Sequence, residues 1–190
     1  TLCTDDELTY EFLDQVIGEL ASITPGEFIH IGGDESHVTK KEDFIYFINR
    51  VQKIVSKYDK RMMGWDEIVH ADLDVSTVAQ QWNSGANAIK AAKAGNQVLL
   101  SPATKTYLDM KYDTLMPVGM TWAATIDVEQ GYSWKPLAIN DSIPEALILG
   151  IEAPLWTEFV EDMERVEYMT FPRLPGYAEI SWSNGEDLIW

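Results

Sequence analysis

Short apolar segments alternate with longer amphipathic ones along this chain, and this alternation limits its possible folds more than any other feature. Five segments are typical of buried strands: residues 27–31, 61–65, 75–82, 97–101 and 147–151. Apolar side chains recur at helical spacing in residues 5–22 and 40–58, which predicts two helices. A short alanine-rich helix is expected over residues 85–94, and a last helix over residues 161–170. Strands that are apolar throughout and separated by helices are typical of a parallel sheet covered on both faces. The sequence therefore predicts an α/β protein.

Local signals set the expected ends of these elements. Thr4 and Thr39 each begin a capping-box pattern, and Gly95 is a good stop for the helix over residues 85–94. Pro172 and Pro175 are expected to limit the last helix. Residues 102–143 form a long segment rich in aromatic residues. Loops of this length in a compact domain more often have a function than serve only as connections. Trp122 and Trp134 in this segment could shape outer binding subsites or pack the segment, and the sequence leaves both alternatives open.

Composition excludes several classes of function. The chain has 190 residues, 46% of them hydrophobic, enough for the core of one domain. Its 31 acids against 14 bases give a net charge of −17, which argues against nucleic acid or an anionic membrane as a partner. The single cysteine, Cys3, excludes an internal disulfide. No run of about 18 apolar residues is present, so we expect no membrane span. No motif calls for a cofactor.

Residues capable of chemistry lie at the end of each predicted strand or follow it. They are Asp34-Glu35, Trp65-Asp66-Glu67, Gln81-Trp82-Asn83, Tyr107-Leu108-Asp109 and Trp156-Thr157-Glu158. In a (β/α) barrel all these points converge on one face, because parallel strands share one C-terminal end. Core packing alone does not predict that polar and aromatic groups cluster after strands. The pattern therefore predicts an active site.

The pair Asp34-Glu35 is the strongest candidate within that set. It follows Gly32-Gly33, which stop the strand, and two carboxylates held close together disfavour each other's ionisation, which creates a proton donor. The alternative is a turn whose acids face water. His30, Asp34, Glu35 and His37 could in principle bind a metal, but no HExxH spacing is present, and we predict no metal site. Asp66 and Glu67 could belong to the site or cap the next helix.

Six stretches in order resemble the family 20 glycoside hydrolases, the β-N-acetylhexosaminidases. They are His30-Ile31-Gly32-Gly33-Asp34-Glu35, Gly64-Trp65-Asp66-Glu67, Gln81-Trp82-Asn83, Tyr107-Leu108-Asp109, Leu155-Trp156-Thr157-Glu158 and Phe171-Pro172-Arg173-Leu174. The resemblance implies a (β/α)8 TIM-barrel type, with residues 1–190 as a partial catalytic barrel domain. Only about five of the eight βα units are present, the fourth to the eighth strands. On this resemblance, we expect no segment of the sequence to correspond to the first three strands or to the arginine that binds sugar hydroxyls in the family pattern. We expect the remainder of the barrel to come from missing residues or another chain.

The resemblance also implies a function and a role for each site residue. Family members remove terminal β-linked N-acetylglucosamine or N-acetylgalactosamine with retention, through an oxazolinium intermediate formed by the substrate's own acetamido group. Glu35 is then the general acid and base, Asp34 accepts the acetamido N–H, and Tyr107 donates to the acetamido oxygen. The implied substrate-binding residues are Trp65, Trp82 and Trp156 around the sugar, Asp109 and Glu158 on its hydroxyls, and His30 beneath the carboxylate pair.

Several alternatives stay open within this interpretation. The implied partners are glycans or glycosides that contain N-acetylhexosamine. The chain alone could instead be a catalytically incompetent fragment that binds carbohydrate or is structural. Within the enzyme class, a lacto-N-biosidase-like release of disaccharides is a further possibility. The compartment is unknown, and an extracellular, periplasmic or cell-surface location is favoured if the parent protein carries a signal peptide.

Overall fold

Strands and helices alternate along the chain, as the sequence pattern predicts. The computed structural model describes residues 2–138 and 142–183. Its strands are β1 (Phe28–His30), β2 (Arg61–Trp65), β3 (Val78–Gln81), β4 (Gln97–Leu100) and β5 (Ile148–Ile151). Its α-helices are α1 (Glu7–Ile23), α2 (Lys41–Lys57), α3 (Gly85–Lys93), α4 (Ala103–Thr106), α5 (Val128–Tyr132), α6 (Met163–Thr170) and α7 (Arg173–Trp182). Short 3-10 segments cover Asp66–His70, Pro136–Ala138 and Glu145–Leu147.

The five strands form one sheet in the order β1-β2-β3-β4-β5. β1 pairs with β2 in parallel, with Ile29 opposite Met62, and β2 pairs with β3 in parallel, with Gly64 opposite Ala79. Parallel neighbours that are consecutive in the chain need a crossover between them. An α-helix lies between β1 and β2, and a 3-10 segment lies between β2 and β3. The predicted α/β class is confirmed.

The chain divides into two compact units, residues 1–98 and 99–190. The core of the first unit is built from α1, α2, the first two strands and the 3-10 segment after β2; its members are Ile17, Ile29, Ile48, Val51, Val55, Met62 and Ile68. In the second unit a smaller cluster joins α7 to the segment after α4, with Leu108, Tyr177 and Ile180 at its centre. The prediction that residues 1–190 form one partial barrel domain stays a prediction.

Element ends differ from the sequence expectations at three points. α1 is capped by Asp6, whose side chain accepts from the amide of Leu8, so a cap at Thr4 is wrong. α2 begins after Lys40 without a side-chain cap, so the second capping box is also wrong. The sequence pattern missed α7, because Pro175 was expected to end helical structure. Pro175 lies in the first turn of α7, where a missing N–H removes no helical hydrogen bond.

One face of α1 is apolar and exposed. Ile17 on the opposite side is buried, whereas Leu8, Phe12 and Ile23 are 68%, 56% and 70% exposed. The amphipathic spacing of this helix therefore has only part of its apolar surface covered. In the part of the chain that the structure describes, no helix combines the length and the apolar composition that a bilayer crossing requires.

Candidate active site

Asp34 and Glu35 lie in the loop that leaves the C-terminal end of β1, and both are exposed. Gly32 and Gly33 begin this loop with φ values of 75° and 101°, in the left-handed region that favours glycine. Glu35 has a φ of 49°, which is uncommon for a residue with a Cβ. Residues held in sparsely populated backbone conformations cluster at active sites. The backbone therefore marks the second carboxylate of the pair as a candidate functional group.

Contacts with the end of β2 fix the start of this loop. The amide of Trp65 donates to the carbonyl of Gly32 at 2.9 Å. A Cβ on Gly33 would lie 2.8 Å from Cγ2 of Ile68, so the loop packs closely on the segment after β2. The carboxylate pair is thus carried by a backbone that a neighbouring strand end holds in place.

His30 ends β1 beneath this loop. Its Nδ1 accepts the amide of Gly32 at 3.1 Å. Its ring lies edge-on to Trp65, with 5.2 Å between the ring centroids. His30 thus contacts both the turn before the carboxylates and the end of β2. Among the described residues, no three His, Cys, Asp or Glu side chains form a group that could hold a metal ion.

Asp66 is a buried carboxylate, 1% exposed, just after β2. Its Oδ2 accepts the amides of Trp82, Asn83 and Ser84 at 3.0, 3.3 and 3.2 Å. Its Oδ1 accepts from Nδ2 of Asn87 at 2.7 Å. Ser84 is the N-cap of α3, so Asp66 holds the turn that leads into that helix. The sequence left a capping role open, but it could not indicate that the capped turn follows a different strand.

Glu67, the neighbour of Asp66, contacts a side chain instead of a turn. Both of its carboxylate oxygens accept from Nε1 of Trp82, at 3.2 and 3.1 Å. Oε1 also lies 3.5 Å from the amide nitrogen of Glu35. Partial burial raises the pKa of Glu67, and the hydrogen bond from Trp82 offsets part of this shift. Glu67 thus connects the ends of three consecutive strands.

An open cavity of about 280 Å³ lies beside these two glutamates. Its lining includes three side chains that carry or can acquire positive charge, together with Glu35 and Glu67; the set is Gly33, Glu35, Ser36, His37, Thr39, Lys41, Phe44, Glu67 and His70. Burial and the charges of Lys90 and Lys41 lower the pKa of His70. The cavity gives solvent or a ligand access to the loop that carries Glu35.

In the second unit, Tyr107 is the centre of an aromatic group. Its side chain is 2% exposed. Its ring centroid lies 6.1 Å from that of Trp122 and 6.0 Å from that of Trp156. Trp122 and Trp156 are 55% and 40% exposed, so this cluster presents flat apolar surface to solvent. Trp134 is 4% exposed, so its side chain is buried.

Asp109 is a second buried carboxylate, 4% exposed. Burial raises the pKa of Asp109 to about 6, while the backbone amides of Asp109 and Trp156 partly offset that shift. The charge of exposed Glu158 adds to the increase, and Arg173 opposes it. Asp109 therefore changes its charge close to neutral pH.

Arg173 holds the segment that carries Tyr107 and Asp109. Its guanidinium, 2% exposed, donates to the carbonyls of Leu108 at 2.7 Å and Met110 at 2.9 Å. It also donates to the carbonyls of Met169 at 2.7 Å and Ile126 at 3.0 Å. The carbonyls of Leu108 and Met110 flank Asp109, so Arg173 fixes the backbone on both sides of that residue.

The predicted site residues divide between the two units. The first unit contains His30, Asp34, Glu35, Trp65 and Trp82, and the second contains Tyr107, Asp109, Trp156 and Glu158. Trp65 ends β2, as predicted, and Trp82 directly follows β3, which ends one residue earlier than the predicted strand. Sequence reasoning left the roles of Asp66 and Glu67 undecided. Their position directly after a strand was the available signal, but the hydrogen bonds of Asp66 to the turn after β3 and of Glu67 to the indole of Trp82 have no signature in the sequence.

Comparison of the sequence with known protein families identifies the family of this chain. The family described as "Glycosyl hydrolase family 20, catalytic domain" matches residues 1–44 and 37–185. The chain belongs to this family. The resemblance seen in the six sequence stretches is confirmed.

Known relatives support the same assignment. A "Beta-N-acetylhexosaminidase" of Cellulomonas fimi is 36% identical over 96% of this chain and 37% of its own length. The GH20 β-N-acetylhexosaminidase structure from Streptomyces coelicolor A3(2) matches with a TM-score of 0.95 and 44% identity, over 100% of this chain and 40% of that one. A mutant Streptomyces plicatus β-hexosaminidase in complex with its product GlcNAc matches with a TM-score of 0.91 and 45% identity, over 96% of this chain and 38% of that one. This chain therefore spans about two fifths of the length of these proteins.

Proposed function

We propose that this chain carries the catalytic groups of a retaining exo-β-N-acetylhexosaminidase that acts by substrate-assisted catalysis. The observation that carries the proposal is the exposed pair Asp34-Glu35 after β1, with Glu35 at a φ of 49°, in a chain of family 20. The substrates are glycans or glycosides with a terminal β-linked N-acetylhexosamine. The product complex of the Streptomyces plicatus relative supports this choice.

The reaction needs one proton donor and one group that orients the substrate's amide. Glu35 donates its proton to the glycosidic oxygen while the acetamido oxygen bonds to the anomeric carbon and the bond to the leaving group breaks. Asp34 accepts the acetamido N–H, orients that oxygen and stabilises the positive charge of the oxazolinium ion. The Glu35 carboxylate then takes a proton from water, which attacks the anomeric carbon from the face that the leaving group occupied. The bond between that carbon and the acetamido oxygen breaks in the same step, which restores the acetamido group. The configuration is retained, and Glu35 is protonated again.

Further residues have binding roles in this proposal. The hydroxyl of Tyr107 donates to the acetamido oxygen, and Asp109 and Glu158 accept from sugar hydroxyls. Trp65, Trp82 and Trp156 enclose the acetamido methyl and the sugar ring, and His30 supports the turn beneath the carboxylates. The aromatic cluster around Tyr107 and the buried carboxylate of Asp109 support these roles, because sugar binding combines flat apolar faces with a few placed polar groups.

The remainder of a (β/α)8 barrel is a further part of the proposal. The exposed apolar residues of α1, Leu8, Phe12 and Ile23 among them, support it, since an apolar helix face of this kind packs on a neighbour in a complete barrel. Residues 1–190 then supply the fourth to eighth βα units, and the first three strands come from residues outside this chain or from another chain. The exposed apolar face of α1 also favours the second candidate function, in which this chain alone binds carbohydrate without hydrolysing it.

The test uses this chain alone and the natural protein that carries it, each as wild type, Glu35→Gln and Asp34→Asn. With a 4-nitrophenyl N-acetyl-β-glucosaminide as substrate, we expect Glu35→Gln to lower kcat/KM of the natural protein by about 10²–10⁴-fold. An exposed acid elsewhere provides the control, as Glu164→Gln in α6 should change the rate less than twofold. Undiminished hydrolysis by Glu35→Gln contradicts the proposal.

Three additional measurements separate the alternatives. Proton NMR of the first-formed sugar should show the β anomer. Stepwise fluorination of the substrate's acetamido group should lower the rate, because it weakens the nucleophile. A lacto-N-bioside of 4-nitrophenol should be a poor substrate, and preference for it would indicate disaccharide release. Binding of N-acetylglucosamine by this chain alone, without any turnover, would support the non-catalytic candidate.

A further inference from the structure

Asp66 and Glu67 are adjacent in the chain, yet they hold different parts of the same tryptophan. Asp66 accepts the backbone amide of Trp82 at 3.0 Å. Glu67 accepts the indole N–H of Trp82 with both carboxylate oxygens, at 3.2 and 3.1 Å. A backbone hydrogen bond fixes where the side chain starts, whereas the indole hydrogen bond fixes the rotation of the ring. The orientation of Trp82 therefore depends on Glu67.

Glu67 also reaches the loop of the proton donor. Its Oε1 lies 3.5 Å from the amide nitrogen of Glu35, whose φ of 49° is uncommon for a residue with a Cβ. Hydrogen bonds of active sites are often long in the absence of substrate and shorten in the complex. Glu35 and Glu67 line the same cavity of about 280 Å³. One carboxylate thus faces both the backbone of the proposed acid and a ring of the proposed sugar site.

We propose that Glu67 is a positioning residue that sets the placement of Glu35 relative to the indole of Trp82. This inference rests on the proposed function, because it assigns Glu35 and Trp82 to one reaction. Glu67 needs no contact with substrate for this role. A displacement of about 1 Å in a reacting group can lower a rate by about 10²-fold, so a residue that holds two site groups affects catalysis through their geometry.

The charge of Glu67 contributes to this role. An ionised acceptor makes a hydrogen bond roughly twice as strong as a neutral one. Burial raises the pKa of Glu67, so the carboxylate loses its charge at a higher pH than an ordinary glutamate. The charged or titratable groups around it are Asp66 on its own segment, and Glu35, His37, Lys41 and His70 around the cavity. Protonation of Glu67 is expected to weaken the indole bond as pH falls.

The first experiment measures the hydrogen bond without any reaction. In the ¹⁵N-labelled natural protein that carries this sequence, the indole N–H resonance of Trp82, assigned through Trp82→Phe, should shift upfield as pH falls and Glu67 becomes protonated. In Glu67→Gln this titration should disappear. A Trp82 resonance that titrates identically in wild type and Glu67→Gln, or that titrates in neither, would overturn the proposed contact.

The second experiment tests the consequence for catalysis in the natural protein that carries this sequence. We expect Glu67→Ala to lower kcat/KM for N,N′-diacetylchitobiose by about 10- to 100-fold. A 2,4-dinitrophenyl glycoside needs little help from an acid, so its kcat/KM should fall several-fold less. Glu67→Gln keeps one oxygen acceptor and should recover much of the loss. The control is Glu164→Ala, with no change for either substrate.

The outcomes separate this inference from the proposed function. If Glu35→Gln is inactive on N,N′-diacetylchitobiose and Glu67→Ala has wild-type kinetics, the positioning role is wrong and the proposed function stands. Equal loss on both substrates in Glu67→Ala, with no recovery in Glu67→Gln, indicates a merely structural role and also overturns it. If Glu35→Gln keeps full activity, the proposed function is wrong. The inference that Glu67 positions Glu35 for catalysis is then wrong as well.

Discussion

Oδ2 of Asp66 accepts the backbone amide of Trp82 at 3.0 Å, so a buried carboxylate at the end of β2 holds the turn that follows β3. The same oxygen also accepts the next two amides of that turn, and Oδ1 accepts from Asn87. Buried polar groups need partners, and here one carboxylate serves four donors. The relationship makes the placement of Trp82 depend on a residue 16 positions earlier in the chain.

Removal of this carboxylate should strongly destabilise the first unit. Asp66→Ala removes the acceptor of three backbone amides and one side-chain amide, all in partly buried hydrogen bonds. Each donor left unpaired costs up to about 1–3 kcal/mol. We expect the free energy of unfolding to fall by about 3 kcal/mol or more, measured by urea denaturation. Asp43→Ala on the exposed first turn of α2 is the control and should cost less than about 1 kcal/mol.

A double variant can separate the hydrogen bond between Asp66 and Asn87 from the hydrogen bonds between Asp66 and the turn amides. Asp66→Asn keeps one oxygen for the turn but points its NH₂ group at the NH₂ group of Asn87, whereas Asn87→Asp restores an acceptor opposite it. We therefore expect Asp66→Asn together with Asn87→Asp to be more stable than the sum of the single changes predicts, by about 1 kcal/mol or more. Strict additivity in the denaturation data would contradict the geometry.

Substitution of Arg173 should also strongly lower the free energy of unfolding, for a different reason. Its guanidinium donates to four carbonyls, and its Cζ lies 4.0 Å from the centre of the Tyr112 ring. Lysine cannot reproduce the planar fork of donors, and methionine removes all of them. The free energy of unfolding should fall in the order wild type, Arg173→Lys, Arg173→Met, with a loss of about 3 kcal/mol or more for the last. Arg165→Met, which breaks a partly exposed ion pair with Glu161, should cost less than about 1 kcal/mol.

The fold class and the strand positions could be predicted because they depend on local patterns. Apolar runs such as residues 61–65 and 97–101 became β2 and β4, and Gly95 ended α3 as expected. The helix over Arg173–Trp182 could not be predicted from the same rules, because Pro175 disfavours a helix interior but is tolerated in a first turn. Which apolar face of α1 is covered was equally beyond local pattern, since burial depends on neighbours that spacing does not specify.

The positions of the candidate site residues could be predicted from the sequence, but their hydrogen-bond partners could not. Asp34, Glu35, Trp65 and Trp82 were found because polar and aromatic residues follow strands. The hydrogen bonds of Glu67 to Trp82 and of Arg173 to Leu108 join residues 15 and 65 positions apart. Such long-range pairs depend on strand order and on side-chain rotamers, which one sequence does not reveal.

Asp109 should make stability depend on pH in the acid range. Its folded-state pKa of about 6 lies above the ordinary value of 3.8, so the folded protein binds this proton more tightly than the unfolded chain. The stabilising contribution is complete below pH of about 3.8 and is lost as pH rises through about 6. Urea denaturation of wild type and Asp109→Asn between pH of about 3.5 and 7.5 should show the wild type losing stability relative to the variant. A stability difference that does not change with pH would contradict this titration.

The same titration should affect binding. In the proposed site the ionised form of Asp109 accepts from a sugar hydroxyl, and the neutral acid is a weaker acceptor. The Kd of N-acetylglucosamine for the natural protein should therefore rise as pH falls below about 6. In Asp109→Asn binding should be weaker at neutral pH and should lose this part of its pH dependence.

Gly64 allows a sharp test of the close contact between the first two strand ends. A Cβ at this position would lie 2.8 Å from Cγ2 of Ile68 and 2.9 Å from the carbonyl oxygen of Gly32, which accepts the amide of Trp65. The carbonyl is backbone and cannot rotate away, so Gly64→Ala should push apart the loop that carries Asp34 and Glu35. We expect a loss of about 1–3 kcal/mol in the free energy of unfolding and a fall in kcat/KM of the natural protein.

Gly26→Ala is the matched control, because nothing lies within 4 Å of a Cβ there. Equal stability of the two variants would show that the loop is not packed against β2 as closely as these distances require.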